Sequence, residues 1–164
     1  MPSGPKRVYR WHNRSRNRVH LHVRNINILI DAAARERAND SHRMLTDLVA
    51  RKVRAAGAIP KRNRLIDLSA RMRDHDYLFE MKSTTAANAH GQLRAAISQL
   101  YEYRYIQNIP TAQLVVVIEH PPPRDVEWMV DYIVRDRGLL IAWDGDRRTV
   151  QFPDTIRDHL AFLA

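Results

Sequence analysis

The sequence predicts an α/β domain with a mixed central β-sheet flanked by helices. Three observations carry that prediction. Helix-period and strand-period apolar patterns alternate from Ser41 to the C-terminus. Residues 113–120 hold the run Leu-Val-Val-Val-Ile between Pro110 and Pro121, the pattern of a strand buried on both faces. Two short strand-like runs flank the turn-like stretch "MRDHD" (72–76), as in a hairpin.

The elements follow in order. Residues 1–18 read as irregular. "VHLHV" (Val19–Val23) alternates apolar residues with histidine and predicts a short strand, with "INILI" (26–30) as its partner. Met44, Leu45, Leu48, Val49 and Val53 recur at helical spacing, so a helix is expected from about Ser41 to Ala56, stopped by Gly57 and Pro60. "RLIDLSAR" and "DYLFEMKS" form the hairpin. Asn88 is placed to cap a long helix reaching about Ile106, with the stripe Leu93, Ala96, Ile97, Leu100 and Tyr101. The buried strand at 113–120 comes next. "VEWMVDYIVRD" is an amphipathic helix, "GLLIAW" and "TVQF" are strands, and "DTIRDHLAFL" is a last helix. Trp128 and Trp143 are expected in the core. No internal repeat or low-complexity linker interrupts the chain.

Composition narrows the class. At 164 residues and 45% hydrophobic content the chain suits one folded domain. No apolar run approaches the ~20 residues that cross a bilayer, and the basic N-terminus has no apolar segment of the secretory kind. Cysteine is absent, which excludes disulfides, cysteine-ligated zinc and iron–sulfur clusters; a cytoplasmic location fits. Lys and Arg number 27 against 18 Asp and Glu. Residues 1–24 hold seven of those cations (Lys6, Arg7, Arg10, Arg14, Arg16, Arg18, Arg24) and no acid, and the remaining 140 residues carry a net of only +2. The division expected is a basic arm over 1–24 and a domain over 25–164. Such an arm suits a polyanion, with nucleic acid first among them, and Trp11 among its arginines suits base stacking. A solvated tail is the competing reading.

The chemistry concentrates in "YLFEMKSTT" (77–85). In a strand, Glu80 and Lys82 share one face while Phe79 and Met81 share the other. With Arg73–Asp76 as the hairpin loop, Met72 pairs with Tyr77 and Asp67 falls opposite Lys82. Directly opposed residues project from one face, so Asp67, Glu80 and Lys82 converge. Two carboxylates suit a hard cation such as magnesium, with a backbone carbonyl near Met81 completing the protein ligands. A cation there polarises a phosphate oxygen and acidifies water. Lysine, unlike arginine, can give up a proton beside it. Only four of the 27 basic residues are lysines, which makes Lys82 a less casual choice. Gln92, Gln99 and Tyr103, spaced by seven and four, share one face of the following helix.

With Asp67 in "LIDL", Glu80-Met81-Lys82 in "LFEMKS", and Gln99 and Tyr103 in "SQLYEYR", the sequence resembles the PD-(D/E)XK nuclease superfamily and its RecB-like branch over roughly residues 41–143. The resemblance implies a restriction-endonuclease-like αβββαβ core and a magnesium-dependent nuclease, with manganese able to substitute. It implies Asp67 and Glu80 as metal ligands together with the Met81 carbonyl, Lys82 as the catalytic lysine, and Gln99 and Tyr103 near the metal or on DNA. Arg7, Arg10, Arg14, Arg16 and Arg18 would bind the DNA backbone. Ile66 stands where the family has proline, and the branch's cysteine cluster is missing. An acid on the first helix often assists; Glu36, Asp40 and Asp47 compete for that place. Double-strand cleavage would call for two copies of the chain or a larger nuclease assembly.

Each motif has a plainer reading. E-x-K pairs occur on ordinary exposed strands, and a Q-x-x-x-Y stripe on ordinary helix surfaces. His12, His20 and His22 lack a fourth ligand and make a poor zinc site. His42 reads as a polar helix edge, and Ser83, Thr84 and Thr85 as strand-exit residues. Two other functions stay open: a nuclease-like fold that binds DNA or assembles without turnover, and a small basic RNA-binding protein, which lacks the aromatic signature of RNA-recognition strands.

Overall fold

The computed structural model describes the chain from Arg14 onward and its side chains from Ile30. Two compact units divide it, Met1–Glu36 and Arg37–Ala164. The sheet and its covering helices belong to the second.

Helix α1 runs from Arg14 to Ala55. It covers Val19–Val23 and 26–30, so the strand pair expected there is a helix. The five-residue alternation was ambiguous: Val19, Val23, Ile26 and Ile30 are also spaced by four, three and four, a helical period. Near its C-terminal end Leu45, Leu48, Val49 and Val53 are buried in the main apolar cluster. Gly57, at φ +86°, closes the helix in the left-handed conformation that costs glycine least.

Strands β1 (Leu68–Met72) and β2 (His75–Lys82) form an antiparallel hairpin. Helix α2 (Ala89–Ile106) then leads to β3 (Gln113–Ile118), parallel to β2. Short turns of helix at Arg124–Val126 and Trp128–Asp131 (α3), with a π turn at Tyr132–Asp136, lead to β4 (Leu140–Asp144), parallel to β3. The amphipathic helix expected over 126–136 is present, tightened at its start and widened into the π turn at its end. Strand β5 (Val150–Gln151) is antiparallel to β4, and the chain closes on three short helical turns, Asp154–Ile156, Arg157–Leu160 (α4) and Ala161–Leu163. The sheet order is β1-β2-β3-β4-β5. Two regular strands precede α2, and an antiparallel bridge between Lys61 and Ser69 adds a third extended segment outside β1.

β3 lies at the centre of the sheet with Leu114–Ile118 all buried, as its apolar run requires. On β2, Tyr77, Phe79 and Met81 share one face. Tyr77 stacks against Phe79 and meets the Phe162 ring edge-on at 5.0 Å, and its hydroxyl donates to the His159 carbonyl, so the C-terminal turns cover that face. Helix α2 buries Leu93, Ala96, Ile97, Leu100 and Tyr103. Tyr101, expected in that stripe, is only half-buried. Trp143 is half-buried against the core, whereas Trp128 is 56% exposed. Val126, Met129 and Ile133 take the buried stripe of this helix, and Trp128 lies off it.

Candidate active site

The hairpin turn is tighter than the sequence suggests. Met72 pairs with His75 across a two-residue loop, with Arg73 at φ 53°. Leu68 therefore opposes Phe79, not Met81, and continuing that register sets Asp67 across from Glu80 rather than Lys82. The shift is two residues. Because side chains alternate with period two, every residue keeps its face, and the expected convergence survives the wrong loop.

Local structure fixes Asp67. The Asn63 carboxamide oxygen accepts the N–H groups of Leu65 and Ile66, both at 2.8 Å, an Asx turn that aims the chain into β1. Ile66 and Leu68 are buried on either side. Asp67 Oδ2 accepts the Met81 N–H at 2.9 Å and faces His42 Nε2 at 2.9 Å. Burial pushes the Asp67 carboxyl up, but the His42 and Met81 hydrogen bonds outweigh it and leave its pKa lowered. The bond to Asp67, working against desolvation, raises that of His42. Asp67 is thus held ionised.

Glu80 sits differently. It is 3% exposed. Its Oε1 accepts from Lys82 Nζ at 2.7 Å, while its Oε2 is buried with no hydrogen-bond partner. Burial is the main cause of its raised pKa, and the Lys82 bond only partly offsets it. Lys82 Nζ also donates to Gln99 Oε1 at 2.5 Å, and Gln99 Nε2 donates to the Tyr103 hydroxyl at 3.1 Å. Tyr103 is buried, and burial raises its pKa. Glu80, Lys82, Gln99 and Tyr103 thus form one hydrogen-bonded chain, and Asp67, bonded to His42 and the Met81 N–H, stands across the hairpin from Glu80. The Met81 side chain is fully buried on the other face, with only its backbone at the site.

Sequence reasoning missed two participants. His42, read as a polar edge, is the α1 residue that reaches Asp67. Asp40 and Asp47 are instead engaged by Arg43 and Arg62. Glu119 follows β3 and accepts both Nη2 bonds of Arg37, at 2.9 and 3.0 Å, and the Ser83 hydroxyl at 3.1 Å. Although burial raises it most, the Ser41 and Ser83 hydroxyls and Arg37 leave the Glu119 pKa lowered. Asn88 precedes α2, but its carboxamide accepts the Thr85 N–H at 2.7 Å and caps no helix amide. Arg7, Arg10, Trp11 and His12 lie outside the described residues; Arg14, Arg16, Arg18, His20 and His22 fall within α1.

The donor set suits a hard divalent cation. Among the described residues no three His, Cys, Asp or Glu side chains gather as a ready-made metal cage. Magnesium needs less, one or two carboxylates with the rest of its shell from water or substrate. Glu80 Oε2 is a buried carboxylate oxygen without a partner. Asp67 uses only Oδ2 in its hydrogen bonds to His42 and Met81. The Met81 N–H points to Asp67, and a strand residue's carbonyl lies on the same edge as its N–H.

Among the described residues no helix is long and apolar enough to cross a membrane. No family model matches the chain, and no curated protein matches it. Among solved structures, the chain is similar to a crystal structure of an XisH family protein from Nostoc punctiforme PCC 73102, with a TM-score of 0.48 and 13% identity over 68% of this chain and 99% of that one.

Proposed function

We propose that this chain is a magnesium-dependent nuclease of the PD-(D/E)XK kind that hydrolyses DNA phosphodiester bonds. The observation that supports it is Asp67 on the same hairpin face as the bonded pair Glu80 and Lys82, with Glu80 Oε2 buried and unpartnered. Asp67 Oδ1, Glu80 Oε2 and the Met81 carbonyl would hold the cation, magnesium or manganese. When bound, that cation would supply Lewis-acid polarisation of a phosphate oxygen.

The remaining work falls to side chains. Asp67 stays ionised because His42 and the Met81 N–H bind its charge. An ammonium has three donors; Lys82 gives one to Glu80 and one to Gln99. The third is left for the attacking water or a phosphate oxygen, where charge builds in the transition state. Gln99 positions Lys82, and Tyr103 positions Gln99. The basic arm, with Arg7, Arg10, Arg14, Arg16 and Arg18, would hold the DNA backbone without reading bases, and two copies would act together on a duplex.

The test is cleavage of plasmid and linear DNA with magnesium, manganese or EDTA. Cutting in EDTA, or cutting that survives Lys82→Ala, counts against the reading. The alternative is a nuclease fold that binds DNA without turnover. That reading predicts salt-sensitive binding and no cleavage with any metal.

A further inference from the structure

Beside the candidate site lies a basic segment that the charge count along the sequence conceals. The 140 residues after the arm are nearly neutral, yet residues 59–66, "IPKRNRLI", carry three cations and no acid. Lys61, Arg62 and Arg64 are all exposed. Arg62 is held by Asp47 at 3.0 Å. Among the described residues neither Lys61 nor Arg64 reaches a carboxylate within 4.0 Å, and residues 1–29 contain no acid that could do so. Asp76, on the neighbouring strand, is already engaged by Arg71 at 3.2 Å. Two cations with unspent charge therefore stand three and six residues before Asp67.

The segment is fixed before anything binds. Lys61 and Ser69 exchange both backbone hydrogen bonds at 2.8 Å, which pins one end to the edge of β1. The Asn63 turn pins the other. Lys61, Arg62 and Asn63 also line an open groove of about 670 Å³ with Ser69, Arg71 and Gln107. A pre-ordered loop loses little backbone entropy on binding. Three residues of chain reach at most about 10 Å, and one nucleic-acid strand carries a phosphate about every 3.4 Å of rise. The Arg64 backbone therefore stands within about three phosphate spacings of the Asp67 backbone.

We propose that Lys61 and Arg64 form a phosphate-backbone clamp for a nucleic-acid strand lying along the β1 edge as it enters the Asp67–Glu80 site. This takes the partner class from the proposed nuclease function, but the clamp is a binding claim and does not require turnover. The contacts are charge to phosphate, so they add affinity without sequence preference.

The test is a salt series. Binding of the full chain to a labelled duplex and a labelled single strand is followed by fluorescence anisotropy from 50 to 300 mM salt. Slopes are compared for the wild type, Lys61→Ala/Arg64→Ala and the charge-keeping Lys61→Arg/Arg64→Lys. Loss of two phosphate contacts flattens the log–log slope by about 1.8 for duplex or about 1.4 for single strand, and the charge-keeping pair restores it. An unchanged slope in the alanine pair, with its thermal melt unchanged, overturns the clamp. So does a loss of binding to phosphatidylserine vesicles while the DNA slope stays put. Parallel cleavage assays separate the two claims: a flattened slope without cutting in any metal sinks the nuclease and leaves the clamp, and metal-dependent cutting with an unchanged slope does the reverse.

Discussion

Replacing Glu80 by glutamine should invert the relation between metal and stability. Glu80 is a buried carboxylate with one oxygen on Lys82 and one on nothing. An unsatisfied buried acceptor costs about 1–3 kcal/mol, more when charged; glutamine also leaves an unpaired polar group there, so the substitution relieves only the excess due to the charge. Neutralising it also weakens the Lys82 bond, since a charge-assisted hydrogen bond is roughly twice as strong as a neutral one. The raised Glu80 pKa says that burial wins over Lys82. A net gain of about 1 kcal/mol is therefore expected for Glu80→Gln in EDTA, roughly 2–4 °C in Tm for a chain of this size. The sign follows from linkage. A carboxyl with a raised folded pKa destabilises the fold while ionised, so the variant's advantage is full above that pKa, shrinks as pH falls through it and vanishes below the ordinary glutamate value. Magnesium reverses the order. At ten times its Kd it stabilises the wild type by about 1.4 kcal/mol and the variant hardly at all. Differential scanning calorimetry in EDTA and in magnesium reads both effects. A variant several degrees less stable in EDTA, or one that gains as much from magnesium as the wild type, refutes the reasoning.

The other expectations are simpler. Gln99→Ala leaves Lys82 with Glu80 alone; a hydrogen bond to a charged group contributes about 1.5–3 kcal/mol, so kcat should fall about 10- to 100-fold with little change in metal dependence. His42→Ala removes a bond that keeps the Asp67 pKa low, so the acid limb of the pH–rate profile should move to higher pH; an unmoved limb would separate His42 from catalysis. Glu119→Gln should cost about 1 kcal/mol or less, because Arg37 is half-exposed. Glu119 has a lowered folded pKa, so its contribution is present above the ordinary value of 4.5 and is lost as pH falls through the folded one. The wild type and variant should melt together in strong acid and apart at pH 7.

The parts of the fold that were legible in the sequence are those where one face decides the residue type. Phe79 and Met81 alternate with Glu80 and Lys82, and β3 is apolar throughout because both its faces are covered. The hairpin register was not legible, since a shift of two leaves the same apolar pattern and only the turn chooses between them. His42 left a signal that went unused: it precedes the buried Leu45 by three residues and Val49 by seven, which puts it on the core-facing stripe of α1. Glu119 left none, because its meeting with Ser83 depends on β2 and β3 pairing Lys82 with Ile118. Trp128 misled because an aromatic in an amphipathic pattern reads as core, whereas the buried stripe runs through Val126, Met129 and Ile133 and leaves Trp128 off it.

The most direct measurement is a crystal soaked in manganese chloride, with anomalous scattering recorded at the manganese edge. The account predicts a single strong peak between the Asp67 and Glu80 carboxylates, close enough to the Met81 carbonyl to bond it, with Glu80 Oε2 no longer alone. An anomalous map empty at that position at saturating manganese, with Glu80 still turned to Lys82 and Asp67 to His42, would contradict it.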